Sequence, residues 1–316
     1  MNRGMKTALL AVMMGLLIVL APAPALGGSS TIYGVGVALA ALAAVLIGAA
    51  QKQEGVDTLD LALCCVPGAF VGARLLYVLF RLDFYLVEMG PLHILTTWEG
   101  GFLLYGAVFG AVLSAAALAK RGGVSVAETL DRLAVPGLAA IAVSRLFECT
   151  VGEGLGAWVE NESLCFFPLA VQNEYGEWQL AVFLFEAVAA LVMLLIVRRM
   201  KPQRAGERML SALLMYAVCQ VLLESLRMDG CLKIGFVRVS QVLSAVVILT
   251  VTVLHAMGRG GRKAAIQRVL IFVLCAGGVG GIEWALDKTP ISNLLLYAVM
   301  AAFCAAMYVN GRRKTA

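Results

Sequence analysis

Residues 31–50 read TIYGVGVALAALAAVLIGAA, an uninterrupted stretch of 20 residues without a charged side chain. A helix needs roughly 20 mostly apolar residues to cross the hydrocarbon core of a bilayer, and its backbone polar groups must pair within the segment. This stretch therefore predicts a transmembrane helix. It decides the fold class because comparable stretches recur along the whole chain.

The composition reflects these repeated apolar stretches. Of the 316 residues, 61% are hydrophobic and 14% are charged, with a mean hydropathy of +0.89, whereas about a quarter of the residues are charged in a soluble domain. The sequence predicts an all-α, polytopic transmembrane helix bundle. We expect ten spans, near residues 7–26, 31–50, 57–80, 101–119, 125–147, 178–197, 209–227, 237–256, 266–285 and 290–309.

Most of the basic residues are expected on one side of the predicted bundle. The net charge is +5, but Lys and Arg cluster in every second loop, and such loops face the cytoplasm. The loops at 81–100 and 148–177 are rich in Asp and Glu and are predicted to face outward. This alternation explains the positive charge without a nucleic-acid partner. Seventeen of the 25 basic residues lie on the cytoplasmic side: Arg3, Lys6, Lys52, Lys120, Arg121, Arg198, Arg199, Lys201, Arg204, Arg208, Arg259, Arg262, Lys263, Arg268, Arg312, Arg313 and Lys314.

Two of the outward segments are too long for simple turns. The first, 81–101, ends in Trp98-Glu99-Gly100-Gly101, and the second, 148–178, is rich in aromatic residues. Aromatic side chains favour the headgroup interface of a membrane. We therefore expect a small cap that lies on the outer leaflet.

The N-terminus and the cysteines each leave two interpretations open. Residues 1–26 have a basic start, an apolar stretch and an Ala-Pro-Ala-Pro-Ala ending, which fits a signal peptide cleaved near Ala25 or an uncleaved first helix. Cys149 and Cys165 share one outer loop and form either a disulfide or two free thiols. The eight cysteines show no CxxC pair and no His-rich spacing, so neither a metal site nor a cofactor is indicated.

Polar side chains interrupt the predicted spans at one depth. Such residues are costly in hydrocarbon and by default mark a functional interior. Gln220, Glu224 and Arg227 follow one another at i, i+4 and i+7, so they share one helix stripe. By the predicted topology these residues form a polar pocket open to the outer leaflet. Its other members are Arg74 with Tyr77, Arg145 with Glu148, and Ser240, Gln241 and Ser244.

Several of these residues also fit a purely structural role. Glu224 and Arg227 can be a neutralised pair, because buried charges usually pair whatever their function. Arg74 can extend to a lipid headgroup, and Ser240 and Ser244 can bond neighbouring helices. The coincidence of arginine and glutamate positions at one depth favours a functional site.

Short motifs follow one another along residues 31–257. They are Tyr33-Gly34, Gly72-Ala73-Arg74 with Tyr77-Val78-Leu79-Phe80, Trp98-Glu99-Gly100-Gly101, Arg145 with Glu153 and Gly156, Leu184-Phe185-Glu186, Glu224 with Arg227, and Ser240-Gln241-Val242-Leu243-Ser244. In this order they resemble the motifs of the phosphatidylglycerol:prolipoprotein diacylglyceryl transferases, bacterial membrane enzymes. The resemblance implies a seven-helix core at 31–257. An extra helix or signal peptide at 1–30 would precede this core, and two additional helices at 258–316 would follow it.

The chain departs from the family pattern within some of these motifs. Tyr105, in Leu104-Tyr105-Gly106-Ala107, stands where the family has His, and Glu148 stands where its signature has Asn. Gln220 replaces an Arg, and the family's His-Pro-Ser-Gln is absent before Leu184. Loss of the cation at Gln220 predicts weaker binding of an anionic lipid or a change of lipid.

The resemblance implies a reaction in which the lipobox cysteine thiol of a prolipoprotein displaces glycerol phosphate from phosphatidylglycerol. Guanidinium groups suit the phosphate, and a carboxylate can take the thiol proton in place of the family's His. Of Glu148 and Glu153, Glu153 matches the family. The predicted catalytic residues are Arg145, Glu153, Tyr33 and Tyr105, and the predicted lipid- and phosphate-binding residues are Arg74, Arg145, Gln220, Glu224, Arg227, Gln241 and Ser244.

The partners implied are phosphatidylglycerol or another phospholipid, prolipoprotein signal peptides and the bilayer of the bacterial cytoplasmic (inner) membrane. We expect Arg74, Arg145, Glu153 and Arg227 to meet just beneath the outer headgroups. The missing His leaves a second function open, that of a non-catalytic relative that binds lipid or lipoprotein. A small-solute transporter is a weaker third interpretation, because the sequence has neither an internal repeat nor helix breaks at mid-membrane.

Overall fold

The computed structural model describes residues 2–21, 30–51, 55–173, 175–230, 232–289 and 292–312. The chain divides into two compact units, Met1–Met209 and Leu210–Ala316. The helices are α1 Arg3–Leu20, α2 Ser30–Ala50, α3 Thr58–Phe80, α4 Leu104–Arg121, α5 Val126–Glu148, α6 Val182–Arg199, α7 Glu207–Leu226, α8 Val239–Lys288 and α9 Asn293–Arg312. The strands are β1 Ala170–Gln172, β2 Trp178–Leu180, β3 Lys233–Ile234 and β4 Val237–Arg238.

These helices confirm the predicted membrane fold. Within the described ranges, nine segments are long and apolar enough to cross a bilayer, two of them inside α8. The remaining predicted span, 178–197, corresponds to α6. This helix is not among the nine segments, because its 18 residues include the charged Glu186, Arg198 and Arg199. The chain is therefore an all-α polytopic bundle.

The longest helical run, α8, reverses direction between its two spans. Gln241 and Glu283 are 42 residues apart, and the amide nitrogen Nε2 of Gln241 lies 2.5 Å from Oε1 of Glu283. A straight helix of that length would separate them by about 63 Å. The first arm, Val239–Met257 (α8a), and the second arm, Arg262–Leu286 (α8b), are therefore antiparallel neighbours. The residues between the arms include three glycines, Gly258, Gly260 and Gly261, a composition that permits a tight turn.

The far end of this helical hairpin is closed by α9. The Asn310 side chain donates from Nδ2 to the carbonyl of Arg268 at 2.9 Å, and Nδ1 of His255 lies 2.9 Å from the carbonyl oxygen of Gly311. The end of α8a, the start of α8b and the end of α9 thus lie together. This agrees with antiparallel spans in the second unit.

Polar contacts also bring helix starts together in the first unit. Nζ of Lys6, in α1, lies 2.9 Å from Oδ2 of Asp57, which caps the start of α3. This hydrogen bond lowers the pKa of the Asp57 carboxyl. Asp131, in α5, accepts the backbone N–H groups of Gly206 and Met209, each at 2.8 Å. The starts of α1 and α3 therefore lie at the same end of the first unit, as the predicted topology requires.

Glycines allow α3 and α4 to approach closely. A Cβ atom at Gly72 on α3 would lie 2.4 Å from the carbonyl oxygen of Gly106 on α4. A Cβ at Gly110 would lie 2.0 Å from the carbonyl oxygen of Gly68. Small residues four apart are typical of helices that pack backbone to backbone in membranes. Larger side chains at these positions would separate the two helices.

Glycines also allow α2 to pack closely between α1 and α5. A Cβ at Gly34 would lie 2.5 Å from the carbonyl oxygen of Ile18, and one at Gly36 would lie 2.2 Å from the ring of Phe147. Helix α1 is therefore a packed part of the first unit. The predicted cleavage point near Ala25 lies outside the described residues.

The predicted outer cap contains a small sheet. Strands β1 and β2 are antiparallel, with Ala170 opposite Leu180, and the backbone N–H of Gly156 donates to the carbonyl of Leu180 at 2.8 Å. These strands are not predicted from the sequence, because strands of three residues carry too little alternation to be recognised. Cys149 and Cys165 are free thiols.

Gly72→Leu is expected to destabilise the first unit, because its side chain would collide with the backbone of α4. Overpacking typically costs about 1–3 kcal/mol, and thermal unfolding of the purified protein in detergent measures it. Gly137→Leu is a matched control, since a Cβ at Gly137 on α5 meets no atom within 4 Å. Equal losses in the two variants would contradict the close approach of α3 and α4.

Candidate functional site

The C-terminal half of α3 carries Arg74, which is enclosed by the loop that precedes α4. The side chain is buried, and the ring of Tyr85 lies 5.2 Å from its guanidinium carbon. The guanidinium makes five hydrogen bonds, one for each of its N–H groups. They run from Nε to the carbonyl of Ile94 at 3.0 Å, from Nη1 to Gly100 at 2.5 Å and Gly101 at 3.3 Å, and from Nη2 to His93 at 3.0 Å and Thr96 at 3.2 Å.

Two glycines shape the loop around this arginine. Gly100 and Gly101 have φ angles of 80° and 81°, which strain a residue with a side chain. A Cβ at Gly101 would also lie 2.7 Å from Nη1 of Arg74. The motif Trp98-Glu99-Gly100-Gly101 is thus a loop that wraps a buried cation with its carbonyl groups.

The last turn of α5 holds Arg145 between two carboxylates. Nη1 donates to Oε1 of Glu148, one turn further along, and Nε lies 3.3 Å from Oε2 of Glu186 on α6. All three side chains are buried, and Glu186 is only 1% exposed. One positive and two negative charges give this cluster, the Arg145 network, a net charge of −1 when both carboxyls are ionised.

The residue predicted as acid or base, Glu153, lies on a loop that folds back onto this network. Its backbone N–H donates to the carbonyl of Glu148 at 3.1 Å, and its side chain is exposed. The next residue, Gly154, has a φ of 74° and accepts the N–H of Phe183 at 2.7 Å. Glu153 also lies within electrostatic range of Tyr77, on the same helix as Arg74.

The two predicted catalytic tyrosines lie on different helices of the first unit. Tyr105, in the first turn of α4, is 3% exposed, and its ring centroid lies 6.2 Å from that of Phe109. Tyr33 is half-buried on α2, one turn before Gly36, which packs against Phe147. Helix α2 also contacts the short turn Cys149–Val151, which directly follows Glu148.

Arg227 belongs to a network of the second unit, which it forms with Arg238. Nε and Nη2 of Arg227 donate to Oδ2 of Asp229 at 2.8 and 2.6 Å. Nη1 of Arg238 donates to the other Asp229 oxygen at 3.2 Å and lies 4.0 Å from Oε1 of Glu224. Gln220 donates to Glu224 at 2.8 Å. Of the predicted stripe, Gln220 and Glu224 lie on α7, whereas Arg227 lies just beyond its last residue. Glu224 is joined to the start of α8 through Arg238, which Asp229 links to Arg227.

The five residues Gln220, Glu224, Arg227, Asp229 and Arg238 form the Arg238 network. Gln241 connects this network to its neighbouring helices. Its Oε1 accepts the backbone N–H of Arg238 at 3.1 Å, and its Nε2 donates to the carbonyl of Val221 at 3.3 Å and to Glu283. The buried Ser244 donates to the carbonyl of Ser240 at 2.7 Å, within its own helix. Gln241 thus links three elements, while this Ser244 bond is local.

Four charged residues of these networks were not selected from the sequence. Glu186 carried a signal, because it ends the motif Leu184-Phe185-Glu186. Asp229 and Arg238 lie between two spans, where charged residues are ordinary, and Glu283 lies beyond the motifs. Spacing along one helix identifies residues on a common face, but not the partners that another element supplies.

Comparison with known proteins finds relatives over most of the chain. The family model described as prolipoprotein diacylglyceryl transferase matches residues 25–257. A Listeria innocua protein named phosphatidylglycerol–prolipoprotein diacylglyceryl transferase is 32% identical over 229 residues, covering 69% of this chain and 81% of the relative. Proteins of the same name from Halalkalibacterium halodurans and Bacillus licheniformis are each 30% identical to this chain. The first match covers 70% of this chain and 81% of the relative, and the second covers 72% of this chain and 87% of the relative. The matched region ends with α8a.

Arg74→Lys is expected to loosen the loop at 93–101, because an ammonium group has three N–H donors for five carbonyls. Buried groups left without a partner cost about 1–3 kcal/mol. We expect earlier thermal unfolding and faster proteolysis within this loop. Arg121→Lys, at the exposed end of α4, is the control, and identical behaviour of the two variants would contradict the role given to Arg74.

Proposed function

Because this chain belongs to the prolipoprotein diacylglyceryl transferase family, we propose that the Arg145 network binds the phosphate of its lipid substrate. The chain transfers the diacylglyceryl group of phosphatidylglycerol to a prolipoprotein. The sulfur of the lipobox cysteine bonds to the glyceryl carbon, the bond from that carbon to the phosphate oxygen breaks, and glycerol phosphate leaves. The thiol proton passes to a base.

The position of Arg145 between Glu148 and Glu186 carries this proposal. A guanidinium pairs with phosphate in the bidentate geometry that it adopts with carboxylates, and it stays charged in a dry site. An incoming phosphate would replace one carboxylate, so the cation would not be left bare before the lipid binds. The same pairing would stabilise charge that develops on the departing phosphate.

Glu153 is proposed to accept the thiol proton or to orient the group that does. The thiolate is the competent nucleophile, so a base beside the sulfur accelerates attack. Glu153 is exposed and anchored through its backbone to Glu148. This leaves its carboxyl accessible to a peptide, whereas Glu148 and Glu186 are buried against Arg145.

Tyr33 and Tyr105 are proposed as hydrogen-bonding residues. A phenol has a pKa of about 10, so Tyr105 is a poor base at neutral pH where the family carries His. Its O–H can still donate to a phosphate or a carboxylate. Its burial in the first turn of α4 fits a fixed donor.

In the second unit, the Arg238 network is proposed to contact lipid. Arg227 and Arg238 both bond Asp229, and Gln220 orients Glu224. A cation held by two protein anions is suited to exchange one of them for a headgroup phosphate. Gln241 and Ser244 would fix the start of α8 in this arrangement. Arg74 is proposed to act by shaping its loop, since five protein carbonyls already surround it.

The proposed domain arrangement places the catalytic core at 31–257, from α2 to α8a. Helix α1, at 1–30, would be a retained additional helix, because it packs backbone to backbone against Gly34. Helices α8b and α9, at 258–316, would be a C-terminal addition. The basic loops favour an inner-membrane orientation with the Arg145 network toward the outer leaflet, where signal peptides of prolipoproteins would enter from the bilayer.

Arg145→Lys is expected to lower transfer by at least about 100-fold, a typical loss when a group that stabilises transition-state charge is removed. The lysine keeps the charge inside the network but not the bidentate geometry. Mass spectrometry of a lipobox peptide, incubated with the protein in phosphatidylglycerol vesicles, measures the diacylglyceryl thioether. Arg198→Lys, on the exposed end of α6, should transfer at the wild-type rate. Unchanged transfer by Arg145→Lys would remove the role given to Arg145.

Glu148→Asn is expected to strengthen the binding of phosphatidylglycerol, because it removes an anion that competes with phosphate for Arg145. The KM for this lipid should fall several-fold, while the KM for the peptide stays constant. Glu128→Gln, an exposed acid at the start of the same helix, is the control. A rise in the KM for the lipid would contradict the exchange of carboxylate for phosphate.

A further inference from the structure

We propose that Glu283 is a positioning residue for lipid binding, so that the C-terminal helices complete a site begun by the family core. Glu283 lies on α8b, beyond the matched residues 25–257. The inference rests on the proposed role of the Arg238 network in contacting lipid. It assigns a function to a segment that the family motifs do not reach.

The contact itself is direct. Oε1 of Glu283 lies 2.5 Å from Nε2 of Gln241, and the same nitrogen donates to the carbonyl of Val221 at 3.3 Å. Both hydrogens of the Gln241 amide are thereby directed away from Arg238. The amide oxygen must then face the backbone N–H of Arg238, where it is found at 3.1 Å.

The orientation of the Gln241 amide affects Arg238 and Arg227 through the backbone of Arg238. Gln241 caps the start of α8 by accepting the backbone N–H of Arg238, and the Arg238 guanidinium bonds both Asp229 and the carbonyl of Arg227. Through Gln241, Glu283 therefore acts on Arg238 and, through the bonds of Arg238, on Arg227. Loss of its carboxylate would free Gln241 to rotate and would loosen the cap that aims Arg238.

Attachment of the C-terminal helices does not require this carboxylate. At the other end of the hairpin Asn310 bonds the carbonyl of Arg268, and along α9 the hydroxyl of Tyr297 lies 3.3 Å from the carbonyl oxygen of Ser225. An ionisable residue within a spanning helix is costly and by default functional. Its contact with a glutamine that orders an arginine network gives Glu283 such a function.

The test compares Glu283→Leu, Glu283→Gln and Asn310→Ala in the full-length protein. Transfer to a lipobox peptide is measured in vesicles in which phosphatidylglycerol is diluted with phosphatidylcholine, and thermal unfolding is recorded in parallel. Glu283→Leu should raise the KM for phosphatidylglycerol about tenfold, the scale of one lost charge-assisted hydrogen bond, and leave the KM for the peptide unchanged. Glu283→Gln keeps an acceptor for Gln241 and should restore most of the affinity.

Asn310→Ala distinguishes positioning of Gln241 from mere attachment of the C-terminal helices, because it weakens the same helical hairpin far from Gln241. We expect it to lower the unfolding temperature without changing either KM. The inference, but not the proposed function, would be overturned if Glu283→Leu left the KM for phosphatidylglycerol unchanged. It would also be overturned if Glu283→Leu, like Asn310→Ala, only lowered the unfolding temperature. A wild-type protein that transfers nothing under these conditions would overturn the proposed function, and the inference with it.

Discussion

Charged side chains inside a membrane protein must be given partners, and this requirement organises both units of the chain. Ionisation in an apolar interior is costly unless opposite charge or hydrogen bonds compensate. Arg74 is compensated by backbone carbonyls, Arg145 by two carboxylates, and Arg227 with Arg238 by a shared aspartate. The partners of each arginine lie on a different loop or helix, and these contacts fix that segment relative to the arginine.

These different partners imply different functions. Five carbonyls make Arg74 a structural centre, since a lipid phosphate would have to displace a whole loop. Carboxylates can be exchanged one at a time, because phosphate offers the same geometry to a guanidinium. We therefore propose that the Arg145 network and the Arg238 network can each exchange a carboxylate for a phosphate, whereas Arg74 fixes the loop around it. The glycine contacts of α3 with α4 hold close together the two helices that this loop connects.

The sequence predicted the spans well because each depends on one local property, an apolar stretch of sufficient length. It placed two spans within what is a single helical run, α8, and the contact of Gln241 with Glu283 explains why both descriptions hold. It also placed Gln220, Glu224 and Arg227 on one helix stripe. The hydrogen bond of the first two lies within α7, but that helix ends at Leu226, so Arg227 lies just beyond it. Glu186, Asp229 and Arg238 escaped prediction because their significance depends on contacts between distant segments. The strands of the cap escaped because hairpins so short are fixed by the fold around them.

We propose that this chain carries out the transfer with Tyr105 in place of the family's His and with a carboxylate as the base. The most direct measurement is complementation: the gene is expressed in bacterial cells depleted of their own diacylglyceryl transferase, and growth is followed together with maturation of a resident lipoprotein. We expect that the unaltered chain restores both growth and lipoprotein maturation, and that Tyr105→His is not needed for rescue. Growth and lipoprotein maturation only with Tyr105→His, or with neither form although both reach the membrane, would contradict it.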